Sequence, residues 1–236
     1  MTAFDSLDGT NAEALRRLAA GARGIEVIWA REQTAGRGRD GRSWSSPLGN
    51  LYVSFLAEAP RGRPPAEIAF VAAVAAGEAI LGCGAAGVDL RYKWPNDLLV
   101  AGRKAGGILI EGDGSGGLAI GIGINVESAP AVASWPATCL HDEGAAGTTV
   151  EVLRDSLIAA FLASFARWRR EGFSPVREAW QARAYGIGEA MRARLPDGSV
   201  FDGVFVALGD DGALLLDQGP QGVRRIAAGE IMPMAG

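Results

Sequence analysis

The chain has 236 residues, 48% hydrophobic and 21% charged, so it suits one large domain or a large and a small one, and global disorder is excluded. A formal net charge of -4 argues against a protein that coats nucleic acid or an anionic membrane; any basic site must be local. Two cysteines, Cys83 and Cys139, outside any CxxC pattern, and a single histidine, His141, leave little material for a zinc site or a Ser-His-Asp triad.

The opening residues carry Asp5, Asp8 and Glu13 and lack a basic start followed by an apolar run, so no secretory signal is expected and a cytoplasmic setting fits best. Thr10 or Asn11 is predicted to cap a helix over 12–20, stopped by Gly21, and a strand should follow at 25–31. Residues 32–50, EQTAGRGRDGRSWSSPLGN, form a polar loop without periodicity, and a loop of that length is usually functional or disordered. Beyond it come an apolar strand at 51–56, a connector at 60–65 and a helix at 67–81. The most membrane-like stretch, 68–88, has Glu78 in its middle and reads as a buried helix.

Strand signals flank Pro95 and Asn96 in LRYKWPNDLLV, and a hairpin is expected from 108–111, a GDGSGG turn and 118–126. Residues 129–147 look irregular. A helix should start at Thr148, with Glu151 completing a capping box, and run to about 170 with Leu153, Leu157, Ile158, Phe161, Phe165 and Trp168 on one stripe. Ser174 and Pro175 open another short helix. After about 184 turn signals at 196–198, 209–212 and 218–222 punctuate short apolar runs, the texture of a small antiparallel barrel or sandwich.

Of the 23 basic residues 21 are arginine, and the two lysines, Lys93 and Lys104, fall in one segment, which suggests that a compact ammonium is wanted there. GRGRDG at 36–41 matches GxGxxG, but SWSSPLGN after it is a poor helix start, so a dinucleotide fold is rejected. Arg37, Arg39 and Arg42 on a glycine-rich backbone can present guanidinium forks to phosphate or carboxylate oxygens; a solvated or nucleic-acid-binding loop is the alternative. Asn96 beside Asp97 suits Mg²⁺, and Lys104 can neutralise a phosphoryl group or acyl phosphate; the plainer reading is a turn and a surface lysine. GIGIN at 121–125 offers a glycine-lined strand for a flat ring, with Asn125 to hydrogen-bond it.

The ordered set GTN (9–11), EQTAGRGRDGRSWSSPLGNLYVS (32–54), KWPNDLLVAGRKAGGILIE (93–111), GIGINV (121–126), GALLLDQ (212–218) and GE (229–230) resembles bacterial biotin protein ligase over nearly the whole chain. The resemblance implies an α/β (α+β) fold: a mixed sheet flanked by helices, of the class II aminoacyl-tRNA synthetase kind, in a catalytic domain at 1–184, with an SH3-like β-barrel at 185–236. It implies that biotin and ATP give biotinyl-5′-AMP and pyrophosphate, and that a lysine of a biotin carboxyl carrier protein domain then takes the biotin. Gly9, Thr10, Asn11 and Gln33 would contact biotin, and Arg37, Gly38 and Arg39 would form a loop that orders over biotin and adenylate. Lys104 would bind carboxylate and phosphate oxygens, and Lys104, Arg37, Arg39 and Asp97 would be the catalytic set. Trp44 would stack on adenine and Asn125 hydrogen-bond it, Arg39, Arg42 and Asn96 would complete the ATP site, and Asn96 with Asp97 would serve Mg²⁺.

Two residues depart from the pattern: Gly9 replaces a serine, removing a hydroxyl from the biotin site, and Asp40 stands where a basic residue is common. The few residues before the GTN motif are too short for a winged helix, so no operator DNA binding is expected. A homodimer through an exposed sheet edge is compatible with the pattern. Two other readings use the same residues: an acyl ligase of the same superfamily acting on lipoate or octanoate, and a protein that binds without catalysis through the arginine loop.

Overall fold

The computed structural model describes residues 1–58, 62–84, 87–130 and 135–234. The start of the 60–65 connector, part of the 129–147 segment, part of the 68–88 stretch and the last two residues lie outside the described residues.

In the strand Gly117–Ile124 (β7), alanine and glycine alternate with isoleucine, and the two-residue period of a strand sorts them onto opposite faces. Ile120, Ile122 and Ile124 join the main core, while Ala119, Gly121 and Gly123 leave the other face almost bare. The neighbours follow suit. On one side Leu51–Glu58 (β3) pairs antiparallel with β7, placing Tyr52 opposite Gly123 and Ser54 opposite Gly121. On the other, Arg103–Gly112 (β6) places Gly107 opposite Gly123 and Leu109 opposite Gly121.

The seven-stranded sheet is completed by Thr2–Leu7 (β1), Glu26–Gln33 (β2), Leu90–Lys93 (β4) and Asp97–Val100 (β5), in the order β1-β2-β3-β7-β6-β5-β4. Only β1 runs parallel to its neighbour, so the sheet is mixed as expected. Helix Thr10–Ala19 (α1) covers the bare face, packing Ala14 and Leu18 on Ile28, Leu56 and Ala119. On the apolar face lie Glu67–Gly82 (α2), Val150–Glu171 (α3) and Ser174–Gln181 (α4). From α3, Leu153, Leu157, Phe161, Phe165 and Trp168 are buried, each contributing about 1.5–3 kcal/mol by leaving water. Among the described residues no helix is long and apolar enough to cross a membrane.

A second, antiparallel sheet has the order β11-β10-β9-β8-β12, with β8 at Ala190–Arg194, β9 at Val200–Leu208, β10 at Leu214–Asp217, β11 at Val223–Ile226 and β12 at Glu230–Pro233. Among the described residues no pairing joins the edges β11 and β12, so the expected barrel is an open sheet by its hydrogen bonds. This sheet is fastened to the larger unit. Trp94 Nε1 donates to Gly212 O at 3.1 Å, Leu208 N donates to Gln181 Oε1 at 2.6 Å, and Arg177 pairs with Asp210.

Three local expectations differ. Strand β1 has no counterpart in the sequence reading, because Thr2–Leu7 is a half-exposed edge strand with only a weak apolar alternation. Thr10 and Asn11 lie inside α1 with Gly9 at the cap position; their side chains turn to the sheet instead of back to the helix amides. At α3 the cap is Thr149, whose hydroxyl accepts from Val152 N, while Thr148 donates to Cys83 O, so the box with Glu151 does not form. In both helices a tertiary partner outbids the local cap.

Candidate active site

A cavity of about 790 Å³ opens on the glycine-lined face, with α1, the arginine loop, the turn between β4 and β5, and β12 as walls. It brings together Gly9, Thr10, Asn11, Gln33, Arg37, Gly38, Arg39, Arg42, Trp44, Asn96, Asp97, Lys104 and Asn125, every residue expected at the site. Its two ends differ in chemistry.

The end under α1 is neutral and densely hydrogen-bonded. Gln33, the last residue of β2, accepts at Oε1 from Thr10 N at 2.9 Å and Thr10 Oγ1 at 3.2 Å. Its Nε2 donates to Ser46 Oγ at 2.8 Å. Ser54, fully buried on β3, donates to Asn11 Oδ1 at 2.7 Å and lies 2.7 Å from Thr10 Oγ1. Asn11 Nδ2 donates to Leu109 O and to Glu111 Oε2. Gly121 makes room for this: a Cβ there would lie 2.6 Å from Asn11 Oδ1. Gly9 is extended, at φ -175°, and Gln33 Oε1 would stand 3.9 Å from a Cβ at Gly9, so the absent side chain leaves space in this corner.

Glu111 is the hinge to the charged end: its other oxygen meets Arg37 at 3.1 Å. The arginine loop is an ordered turn. Trp44 N donates to Gly36 O, Gly38 N donates to Arg42 O at 2.7 Å, and Arg37 bridges Ser43, so residues 36–44 make a small hairpin around a 3-10 turn at Arg39–Gly41. Asp40 sits in the left-handed region, at φ 56°, a conformation that Asp tolerates better than most residues, and its carboxylate lies 3.5 Å from Arg42. Arg39 reaches Asn96 Oδ1 and Gly229 O, each at 3.4 Å. Arg42 pairs with Glu230 of β12, which raises the guanidinium pKa.

Trp44 lies flat on the glycine pair of β6 and β7: a Cβ on Gly123 would be 2.8 Å from its Nε1 and one on Gly107 3.3 Å from the ring. The indole itself thus covers the glycine-lined place expected for a flat ring, and its buried Nε1 has no hydrogen-bond partner among the described residues, Asn125 included. Lys104 Nζ stands 5.4 Å over the same ring. Asn125 is buried and donates from Nδ2 to Thr138 O at 3.0 Å. Tyr52 lines the wall; burial pushes its phenol up to about 12, so it stays a neutral donor, and it donates to Pro47 O.

Asp97 is the electrostatic centre of the charged end. Lys104 Nζ is 2.6 Å from its Oδ1 and Lys93 Nζ 3.6 Å from its Oδ2. Burial lowers the pKa of Lys93, with Asp97 acting in the opposite sense. Asn96 donates from Nδ2 to Ile108 O at 2.7 Å and accepts from Arg39. This donor set does not fit a Mg²⁺ held by side chains, because the one carboxylate is shared by two ammonium groups and the amide is engaged at both atoms. No cluster of three or more His, Cys, Asp or Glu exists among the described residues.

Ser46, Ser54, Lys93, Glu111 and Glu230 are the residues of this constellation that were not singled out as contacts from the sequence. Only Lys93 carried a signal of its own, as one of two lysines among 21 arginines. The others acquire their roles from partners brought together by the fold.

The cavity thus joins a bare glycine floor, a neutral hydrogen-bonded end and a cationic end on one mixed sheet. The Biotin/lipoate A/B protein ligase family model matches residues 10–127 and the Biotin protein ligase C terminal domain model matches 186–232. The chain belongs to the biotin/lipoate A/B protein ligase family. It is 41% identical to a biotin–[acetyl-CoA-carboxylase] ligase of Paracoccus denitrificans, over 95% of this chain and 96% of that protein. It is 36% identical to a bifunctional ligase/repressor of Bacillus subtilis, over 87% of this chain and 65% of that longer protein. In fold it is similar to a biotin protein ligase from Aquifex aeolicus solved with biotin and ATP, at a TM-score of 0.85, 23% identity and coverage of 98% and 97%.

Proposed function

We propose that this chain is an ATP-dependent biotin protein ligase working in two steps at the one cavity. In the first, a biotin carboxylate oxygen bonds to the α-phosphorus of ATP while the bond to the β-phosphate oxygen breaks, giving biotinyl-5′-AMP and pyrophosphate. In the second, a lysine amine of a carrier domain of a carboxylase bonds to the acyl carbon, AMP leaves with the anhydride oxygen, and the amine loses a proton.

The observation that carries the proposal is the position of Lys104, paired with Asp97 and 5.4 Å over the Trp44 indole, in the same cavity as Arg37, Arg39 and Arg42. Two anions must be brought together to make an acyl phosphate, and preorganised cations offset their repulsion. We assign the neutral end, Gly9, Thr10, Asn11 and Gln33, to the fused rings of biotin, whose urea can exchange hydrogen bonds with these side chains. We assign Trp44 and Asn125 to adenine; since Asn125 Nδ2 serves Thr138, its Oδ1 would accept from the exocyclic amine. Arg37, Gly38, Arg39, Arg42 and Lys104 are assigned to carboxylate and phosphate oxygens. Burying the anhydride under the loop protects it from water.

Mg²⁺ belongs to the proposal only as a companion of nucleotide phosphates, whose oxygens and water would supply its ligands in place of Asn96 and Asp97. A catalytic unit at 1–184 and a C-terminal unit at 185–236 are proposed on the crossing between the two sheets after Ala184, the last residue bridged to Tyr92. Cytoplasmic action is proposed on the need for ATP. For a homodimer the outer strands of the larger sheet are β1 and β4, and since Ala184 bridges β4 at Tyr92, β1 is the more open edge among the described residues.

The test is pyrophosphate–ATP exchange on the purified chain with biotin, lipoate or octanoate. Exchange with biotin alone is expected. Exchange with another acid moves the substrate, and no exchange with any acid from folded protein sinks the proposal.

A further inference from the structure

The segment 93–111 holds both lysines of the chain, and the fold aims both at one carboxylate. Lys93 and Asp97 face each other across the β4–β5 hairpin, and Lys104 arrives from β6. Lys93 is only 6% exposed, with its Nζ 4.5 Å over the Trp135 ring; the charged groups facing it are Asp97 from its own hairpin, Lys104 from β6 and Glu230 from β12. A buried lysine is tolerated when paired, and one carboxylate needs one ammonium. Here it has two. If Asp97 had Lys104 alone, moving Lys104 onto a substrate oxygen would strand a nearly buried carboxylate beside incoming anions, at a cost that grows in a low-dielectric site.

We propose that Lys93 is a positioning residue of adenylation: it keeps Asp97 neutralised so that Lys104 can exchange its carboxylate partner for substrate oxygens. The proposal rests on the ligase reading given above. Lys93 itself need not touch substrate, and its effect passes through Asp97.

The experiment is biotin-dependent pyrophosphate–ATP exchange on the full chain for wild type, Lys93→Met, Asp97→Asn and the double variant, with a thermal melt of each. Lys93→Met should lower kcat by about tenfold or more, the scale of one lost buried charge interaction, with KM for biotin little changed. Adding Asp97→Asn to Lys93→Met should restore kcat to the level of Asp97→Asn alone, an outcome that a merely structural lysine would not produce. Should Lys93→Met fail to fold, the double variant against Asp97→Asn decides: equal kcat supports the proposal and a further drop overturns it. Unchanged kcat in folded Lys93→Met overturns it while wild-type exchange keeps the ligase reading. A wild type without exchange removes both.

Discussion

The two ends of the cavity solve different problems. Under α1, Thr10, Asn11, Gln33, Ser46 and Ser54 are neutral, rooted on a helix, on strands and at the foot of a loop, and hydrogen-bonded to one another. At the other end Arg37, Arg39, Arg42, Lys93 and Lys104 are charged, several stand on a loop, and their partners are carboxylates or carbonyls of the protein itself. The neutral end is built before a ligand arrives, so its cost is met in folding. At the charged end Glu111, Asp97 and Glu230 already pair with the cations, so on the proposed reading an anionic ligand would bind there by an exchange of partners.

The contrast is broken most severely at the charged end. Lys104→Ala should cut biotin-dependent pyrophosphate exchange by about 10²–10³-fold while circular dichroism stays native, the scale of losing one group that stabilises developing charge. Retained exchange would remove Lys104 from the reaction. On the loop, Arg39→Ala should weaken biotin by roughly tenfold to a hundredfold, leave ATP binding measurable and speed release of the adenylate. A trapping assay that finds no faster release would count against closure of the loop over the intermediate.

A pair of variants sharpens the comparison. Ser54→Ala strips a buried partner from Asn11 and Thr10 and should cost about 1–3 kcal/mol of stability, read in a denaturant melt without ligand. Arg42→Ala removes only a half-exposed ion pair and should cost under about 1 kcal/mol, with its effect in KM for ATP. Equal stability losses would erase the distinction between a built end and an exchanging end.

Smallest is an effect of pH at the edge of the neutral end. Hydrogen bonds from Arg16 hold the Asp8 carboxyl at about 2, below its ordinary 3.8. Its contribution to stability is full above pH 3.8 and is lost as pH falls through 2. Both side chains are half exposed, so Asp8→Asn should lower stability by well under about 1 kcal/mol at neutral pH and by nothing once pH is below 2. A loss that persists undiminished below pH 2 would point to the Gly9 cap instead of the ion pair.

What was legible in the sequence follows the same division. The stripe of α3 and the glycine–isoleucine alternation of β7 carry their burial in their spacing, and both are found where the period puts them. The charged end was legible too, since clustered arginines and two isolated lysines mark themselves by type. The neutral end was only half legible: Thr10 and Asn11 read locally as helix caps, and their real partners, Gln33, Ser54 and Glu111, are 23 to 100 residues away. Serine and glutamate are common surface residues, so nothing in their type announces a buried network. Strand β1 escaped for a similar reason, because one edge strand with mixed faces has almost no period.

Trp44 gives the cavity an optical handle. Its indole rests on the glycine pair with the Lys104 ammonium nearby, while Trp29, Trp94, Trp168 and Trp180 are packed in the core. Trp135 also lines the cavity, under the Lys93 ammonium, so two tryptophans stand at the site against those four as background. An anion that draws Lys104 away, or a purine that stacks on the Trp44 ring, changes the polarity at the charged end, and the part of the emission change that Trp44→Phe removes belongs to Trp44.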